Sequence, residues 1–316
     1  MKNINKQSIM NFLSYLKHHQ SKSVLCYYEP FYKDLSKEIQ TIALENKIDL
    51  SCFEISDLSI ADFTNNFSDN RFYIFFYDTS SRSYPAPQCL NTLREEFRKL
   101  KQCTNIIRAV NINDYFSEIF VSPSEYIYNL NKSLIDLGKK SKIMHITDNN
   151  GSSLEIELDP NKWDNVDGSL EIADFIPSEI ANGPRNVNGV IYFTGGFLSQ
   201  IPLAKKYGLV TEPLKLTVKD RKIIDVDTKN SELKKDILEI LQDNPGNAIL
   251  EEAGIGTNSG VKLRGLGLPF EERHCGFHAG FGGLVKNSFH WDIIFGQSKI
   301  SFDNKLIFDS SKGFLI

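Results

Sequence analysis

The hydrophobic rhythm of this chain changes part-way along, and the change limits what it can fold into. Val24-Leu25-Cys26-Tyr27-Tyr28 has the length and apolarity of a short buried strand, and in Asp34–Lys47 the residues Leu35, Ile39, Ile42 and Ala43 recur at helical spacing. Leu50–Ile55 and Phe72–Tyr77 give two more strands, Leu93, Phe97 and Leu100 mark another helical face, and Ile106–Val110 follows as a strand. Alternation of this kind places parallel strands in one sheet with helical crossovers between them. Near the end of the series, Ser122-Pro123-Ser124-Glu125 is a capping-box pattern with proline at the first helical position, and Ile127, Leu130, Leu134 and Leu137 mark the buried face of the helix it opens. A small Rossmann-like α/β domain is therefore expected over residues 1–130.

Beyond that helix the apolar spacing shortens to two. Lys142–Thr147 and Ser153–Leu158 flank Asp148-Asn149-Asn150-Gly151, a strong hairpin signal. Val190–Phe193, Leu214–Val218, and the pair Lys299–Phe302 and Lys305–Phe308 around Asp303-Asn304 are further short strands. Only Ser231–Leu241 reads as a helix there, with Leu233, Ile237, Ile240 and Leu241 on one face. Residues 131–316 are expected to form a β-rich α+β domain, and a length of 316 residues suits two domains.

Several function classes drop out on composition. The net charge is -4 and no block of lysine and arginine stands out, so nucleic acid is not an expected partner. No apolar run reaches the ~18 residues that span a bilayer, and the first twenty residues lack the apolar core and cleavage site of a signal peptide. The five cysteines, Cys26, Cys52, Cys89, Cys103 and Cys275, are odd in number, widely spaced and without a CxxC pair. Reduced thiols and a cytoplasmic location are the expectation.

The chemistry-bearing residues gather in the last third. His274, His278, His290 and Asp292 crowd into a short stretch, with Glu252 and Glu179 upstream. Imidazole nitrogen with carboxylate oxygen suits zinc, manganese, cobalt or ferrous iron. His290-Trp291-Asp292 precedes the apolar run Ile293-Ile294-Phe295, so alternation along a strand turns His290 and Asp292 to one face and Trp291 to the other. Around His278 the glycines at 276, 280, 282 and 283 oppose a helix, which denies His274 and His278 a shared helical face. His278 is the expected ligand and His274 a supporting or structural residue. Glu252 follows an apolar run, with Glu251 as its competitor, and Glu179 lies in Phe175-Ile176-Pro177-Ser178-Glu179, ahead of a Pro-bounded loop. The glycines at 254, 256 and 260 lack dinucleotide-loop spacing.

These segments together resemble the aminopeptidase T family of metallopeptidases, also called thermophilic or leucyl aminopeptidases. The run from Ile143 through Gly151 to Leu158, with Trp163 and Asp167-Gly168, resembles the family's hairpin before its first metal glutamate, which would be Glu179 in PSEIANGP. EEAGIGTN resembles the motif of the second glutamate and its register selects Glu252; FEERHCGFHAGFG gives His278, and SFHWDIIF gives His290 and Asp292. The match runs in order from about residue 130 to the end. Where the family places a metal-site tyrosine, this chain has Val285.

The resemblance implies a homodimeric aminopeptidase in which Glu179, Glu252, His278, His290 and Asp292 hold one or two divalent ions, with Glu179 and Glu252 as candidates for bridging or base duty. A second class is open, because His278, His290 and Asp292 alone make the two-histidine, one-carboxylate set of mononuclear Fe(II) oxygenases. A ring-cleaving dihydroxypyridine dioxygenase resembles the same fold, and in that reading Ser288 approaches the metal. A third class is a repurposed biosynthetic or binding scaffold with a degenerate site.

Overall fold

The computed structural model describes residues 5–16, 23–55, 71–77, 106–110, 112–168 and 176–316. They form two compact units. One runs to Tyr126 and takes in Gly168, Ile176 and Pro177; the other comprises Ile127–Asp167 and Ser178–Ile316.

A four-stranded parallel sheet organises the first unit. Its strands β1 (Ser23–Tyr28), β2 (Leu50–Glu54), β3 (Arg71–Tyr77) and β4 (Ile106–Val110) lie in the order β2-β1-β3-β4. Phe72 to Tyr77 are all buried, as an inner strand covered on both faces requires. Helix α1 (Lys6–Leu16) starts on Asn5, whose Oδ1 accepts the Gln7 N–H at 2.9 Å. It is not among the elements expected above, although its buried Ile9, Phe12, Leu13 and Leu16 do recur at helical spacing. Helix α2 (Lys33–Glu45) buries Leu35, Ile39, Ile42 and Ala43, the face anticipated from their spacing. The helical face at Leu93, Phe97 and Leu100 lies outside the described residues, as do Cys89 and Cys103; Cys26, Cys52 and Cys275 are free thiols.

After the short helix α3 (Phe116–Ile119) comes α4 (Ser124–Gly138). It begins a residue later than the proline-first register predicts. The Pro123 carbonyl accepts the Tyr126 N–H at 3.1 Å, so the proline stands just outside the helix.

One sheet of 13 strands dominates the second unit. Its members are β5 (Ile143–Thr147), β6 (Ser153–Glu157), β7 (Trp163–Val166), β8 (Glu179–Asn182), β9 (Asn186–Leu198), β10 (Leu209–Lys219) and β11 (Lys222–Asp227). They continue with β12 (Leu250–Gly256), β13 (Gly276–Phe281), β14 (Trp291–Phe295), β15 (Lys299–Phe302), β16 (Lys305–Asp309) and β17 (Gly313–Phe314). The path is β17-β16-β15-β5-β6-β9-β14-β13-β12-β8-β7, with β10 on β9 and β11 on β10. The β5–β6 hairpin turns where the sequence places it: Asp148 Oδ1 accepts the N–H groups of Asn150 and Ser152 at 2.9 and 2.8 Å, and Gly151 takes φ 101°. Helix α5 (Ile201–Tyr207) follows β9, and α6 (Ser231–Asp243) is capped by Asn230, whose Oδ1 accepts the Leu233 N–H at 3.0 Å.

Four neighbouring strands toward the β7 end of this path, β14-β13-β12-β8, carry Glu179, Glu252, His278 and Asp292. They are all antiparallel, and β8, β13 and β14 are buried along their whole length. Apolar packing holds their back: Trp291 stacks on Phe281 with ring centroids 5.0 Å apart, and its Nε1 donates to the Asn247 carbonyl at 2.8 Å.

Candidate metal centre

Strand register brings four of the five expected ligands to one face. Glu252 on β12 sits opposite Gly280 on β13, and Gly280 sits opposite Asp292 on β14. One row over, Gly254 faces His278; one row further, Gly256 faces Glu179 on β8. Residues opposite one another or two apart along a strand share a face, so Glu179, Glu252, His278 and Asp292 project to the same side, with His290 two residues before Asp292. Glu251 projects to the other side, where Arg221 Nη2 meets its carboxylate at 3.1 Å.

Two glycines make room for these side chains. A Cβ at position 254 would lie 1.9 Å from His278 Nε2, and one at 280 would lie 2.6 Å from His290 Cε1 and 2.9 Å from Asp292 Oδ1. Any larger residue at either position fills the space the ligands occupy.

The polar atoms form a chain across the face. His278 Nε2 lies 2.9 Å from Glu179 Oε1 and 3.3 Å from Glu252 Oε1. The second oxygen of Glu252 lies 4.0 Å from His290 Nε2, which is 2.8 Å from Asp292 Oδ1. Two groups of potential ligands result, Glu179 with Glu252 and His278, and Glu252 with His290 and Asp292; within each, the ligand atoms lie within 4.8 Å of one another. Glu252 belongs to both.

The donor set fits a divalent ion. Asp292 Oδ1 is buried without a well-aligned hydrogen bond although His290 Nε2 lies 2.8 Å away, as expected of a ligand atom that an ion would satisfy. His290 Nδ1 lies 3.3 Å from the Gly282 carbonyl, which can only accept, so the ring proton belongs on Nδ1 and Nε2 is left for an ion.

Protons and an arginine counter the acidity of the centre. Burial would raise the Glu179 carboxyl, but the Arg273 charge and the His278 hydrogen bond outweigh it and hold the group at about 2. Burial lifts Glu252 above the usual carboxylate range, against the pull of its His278 hydrogen bond. For His278, burial favours the neutral ring, yet the bonds to Glu179 and Glu252 raise it well above its ordinary value. His290 rises to about 9 because the Asp292 interaction overcomes burial.

Arg273 and Glu272 are the contributors that no sequence signal marked. Arg273 Nη1 bonds both Glu179 Oε2 and Glu272 Oε1, and burial pushes the Glu272 carboxyl up to about 8 despite the neighbouring guanidinium. They read as ordinary loop charges in PFEERH, and only the short 3-10 turn Pro269–Arg273 aims them inward. Asn131 on α4 supports the site from behind: its Nδ2 donates to the Glu179 carbonyl at 3.0 Å and to Asn165 Oδ1 at 2.9 Å, and its Oδ1 accepts from Thr257 at 2.8 Å. His274 stands apart from both ligand groups, with Nδ1 2.9 Å from the Val261 carbonyl. Ser288 ties its own turn, its hydroxyl donating to the Val285 carbonyl at 2.6 Å and accepting the Gly283 N–H at 3.0 Å.

No family model and no curated protein matches the chain. Solved structures do. The 2,5-dihydroxypyridine dioxygenase of Pseudomonas putida KT2440 superposes with a TM-score of 0.63 at 14% identity, covering 96% of each chain. Wild-type AmpT of Thermus thermophilus, an aminopeptidase, superposes with a TM-score of 0.59 at 10% identity, covering 98% of this chain and 100% of its own. Both are metal-binding enzymes, and at these identities the likeness is one of fold: this chain has a mixed α/β fold of a kind that metalloenzymes use, with acidic and histidine side chains that can hold a metal ion.

Proposed function

We propose that this protein is a two-metal hydrolase that removes N-terminal residues from peptides. The carrying observation is that Glu252 is common to both ligand groups, so that one carboxylate would stand between two ions held there. When bound, a pair of divalent ions polarises a carbonyl and lowers the pKa of water so that hydroxide exists near neutral pH.

The chain's own residues divide the remaining work. Glu179 is held ionised by Arg273 and His278, which suits a permanent anionic ligand. Glu252 is lifted by burial and half-turned to each histidine, so it is the group placed to take a proton from water and pass it to a leaving amine. Within this reading, the parallel order β2-β1-β3-β4 supports a Rossmann-like first unit. A homodimer and a cytoplasmic location belong to the same reading and rest on the sequence alone.

A mononuclear iron dioxygenase is the second reading, favoured by the superposition on the dihydroxypyridine enzyme. It needs His278, His290 and Asp292 around one ion, whereas His278 falls in one ligand group and the other two in the second.

Metal content per chain, measured on untagged protein purified anaerobically without chelators, separates the two. The hydrolase reading expects close to two zinc, cobalt or manganese ions and chelator-sensitive release of N-terminal residues from peptides. It also expects that Glu252→Gln loses roughly 100-fold or more in turnover, as removal of a general base does. A single iron that Glu252→Gln leaves in place, with oxygen consumed on a dihydroxylated ring, would establish the dioxygenase instead.

A further inference from the structure

Glu179 is gripped from outside the two ligand groups. Arg273, only 5% exposed, bonds its Oε2 and shares the same guanidinium nitrogen with Glu272. The other oxygen, Oε1, faces His278 Nε2 at 2.9 Å. One oxygen of Glu179 is therefore committed to a cation and one is left for an ion. On the other side of the centre, the ion pairs found for Glu252 and Asp292 among the described residues run only to histidines.

We propose that Arg273 is a positioning residue that makes the His278 side the weaker of the two ion sites, by withholding one oxygen of Glu179 and by placing a permanent positive charge beside that ion. The proposal rests on the two-ion reading above.

Two effects oppose each other at Arg273, and their sizes decide the sign. A guanidinium that orients a ligating carboxylate supports metal binding, and loss of such a partner weakens affinity roughly 10–100-fold. The same guanidinium repels a divalent cation a few ångströms away, and at an effective dielectric of about 20 that repulsion exceeds the orienting gain. Removing the charge therefore tightens the site. Glu272 moderates the effect, because it draws part of the guanidinium away from Glu179.

Titration of Co(II) into the full-length metal-free protein tests this, with visible absorption resolving the two ions and elemental analysis giving the total. Wild type should bind one ion tightly and a second at least about tenfold more weakly. Arg273→Gln should bind the second ion about tenfold or more tighter than wild type, with the first unchanged, and Arg273→Lys should restore the wild-type gap. A second ion bound equally or more weakly in Arg273→Gln overturns the proposal and leaves the arginine as a support for Glu179. Should Arg273→Gln fail to fold, Arg273→Met, which keeps the buried volume without the charge, reads the same effect, and the second ion should again tighten about tenfold or more. An unchanged or weaker second ion in that variant also overturns it. Wild type that takes up no ion, or only one, removes the two-ion reading itself and the inference with it, an outcome distinct from two ions that ignore Arg273.

Discussion

At the scale of single residues, the centre depends as much on what is missing as on what is present. Gly254 and Gly280 have no side chain where His278, His290 and Asp292 need space. Gly254→Ala should push the His278 ring out of reach of Glu179 and Glu252, weakening ion binding roughly 10–100-fold while the protein still folds. Equilibrium dialysis with Zn(II) alongside circular dichroism checks both halves, and unchanged affinity in a folded variant would remove His278 from the ligand set. The histidines also fix a pH signature. His290 is raised to about 9 in the metal-free protein, so its contribution to folding is complete below its unfolded value of about 6.5 and is lost as pH rises through 9. At pH 7.5 that ring is protonated, and an ion must displace the proton. Calorimetric titrations in two buffers of different ionisation enthalpy should show net proton release on metal uptake, and affinity should climb as pH rises toward 9. Identical heats in the two buffers would contradict the assignment of His290 as a ligand.

At the scale of elements, the buried amide of Asn131 couples α4 to β8 and to the residue after β12. Asn131→Ala strips the Glu179 carbonyl and the Thr257 hydroxyl of partners in a fully buried place. Each orphaned group costs about 1–3 kcal/mol, so a loss of at least about 2 kcal/mol is expected in urea denaturation, together with weaker ion binding. A loss below about 0.5 kcal/mol would mean that water reaches the site and replaces the amide. The same elements show what was legible from sequence. The β1–β4 strands, α2, α6 and the β5–β6 hairpin announce themselves because each has one clear apolar face or a specific turn residue. Strands β8, β12 and β13 do not: no polar–apolar alternation runs along them, and they are built from Ala181, Gly254, Ala279 and Gly280 around Glu179 and His278. Small residues beside buried polar ones carry little strand propensity. The five expected ligands were visible as residue types in a familiar order, whereas Arg273 and Glu272 depend on a turn that no periodicity reveals.

At the scale of the whole molecule, the expected ligands all lie in the unit of Ile127–Asp167 and Ser178–Ile316. An ion that binds only the folded form stabilises it by about 2.7 kcal/mol at a free concentration a hundred times Kd. Hydrogen exchange with and without Mn(II) should therefore slow in 178–182, 250–256, 276–281 and 290–295, and leave 23–28 and 71–77 as they were. Equal protection in both units would point to binding elsewhere. Within the unit that carries the expected ligands, Arg221 holds the register of β12 from the far side of the sheet. Its Nε donates to the Leu250 carbonyl at 3.1 Å, its carbonyl accepts the Leu250 N–H at 2.7 Å, and its guanidinium pairs with Glu251. Glu251 and Glu252 are chemically identical neighbours on opposite faces, and a slip of one residue would exchange them, delivering a carboxylate to the centre in the wrong row. Arg221 recognises one glutamate of the two from behind, so the register that turns Glu252 to the centre is held by contacts that need no ion.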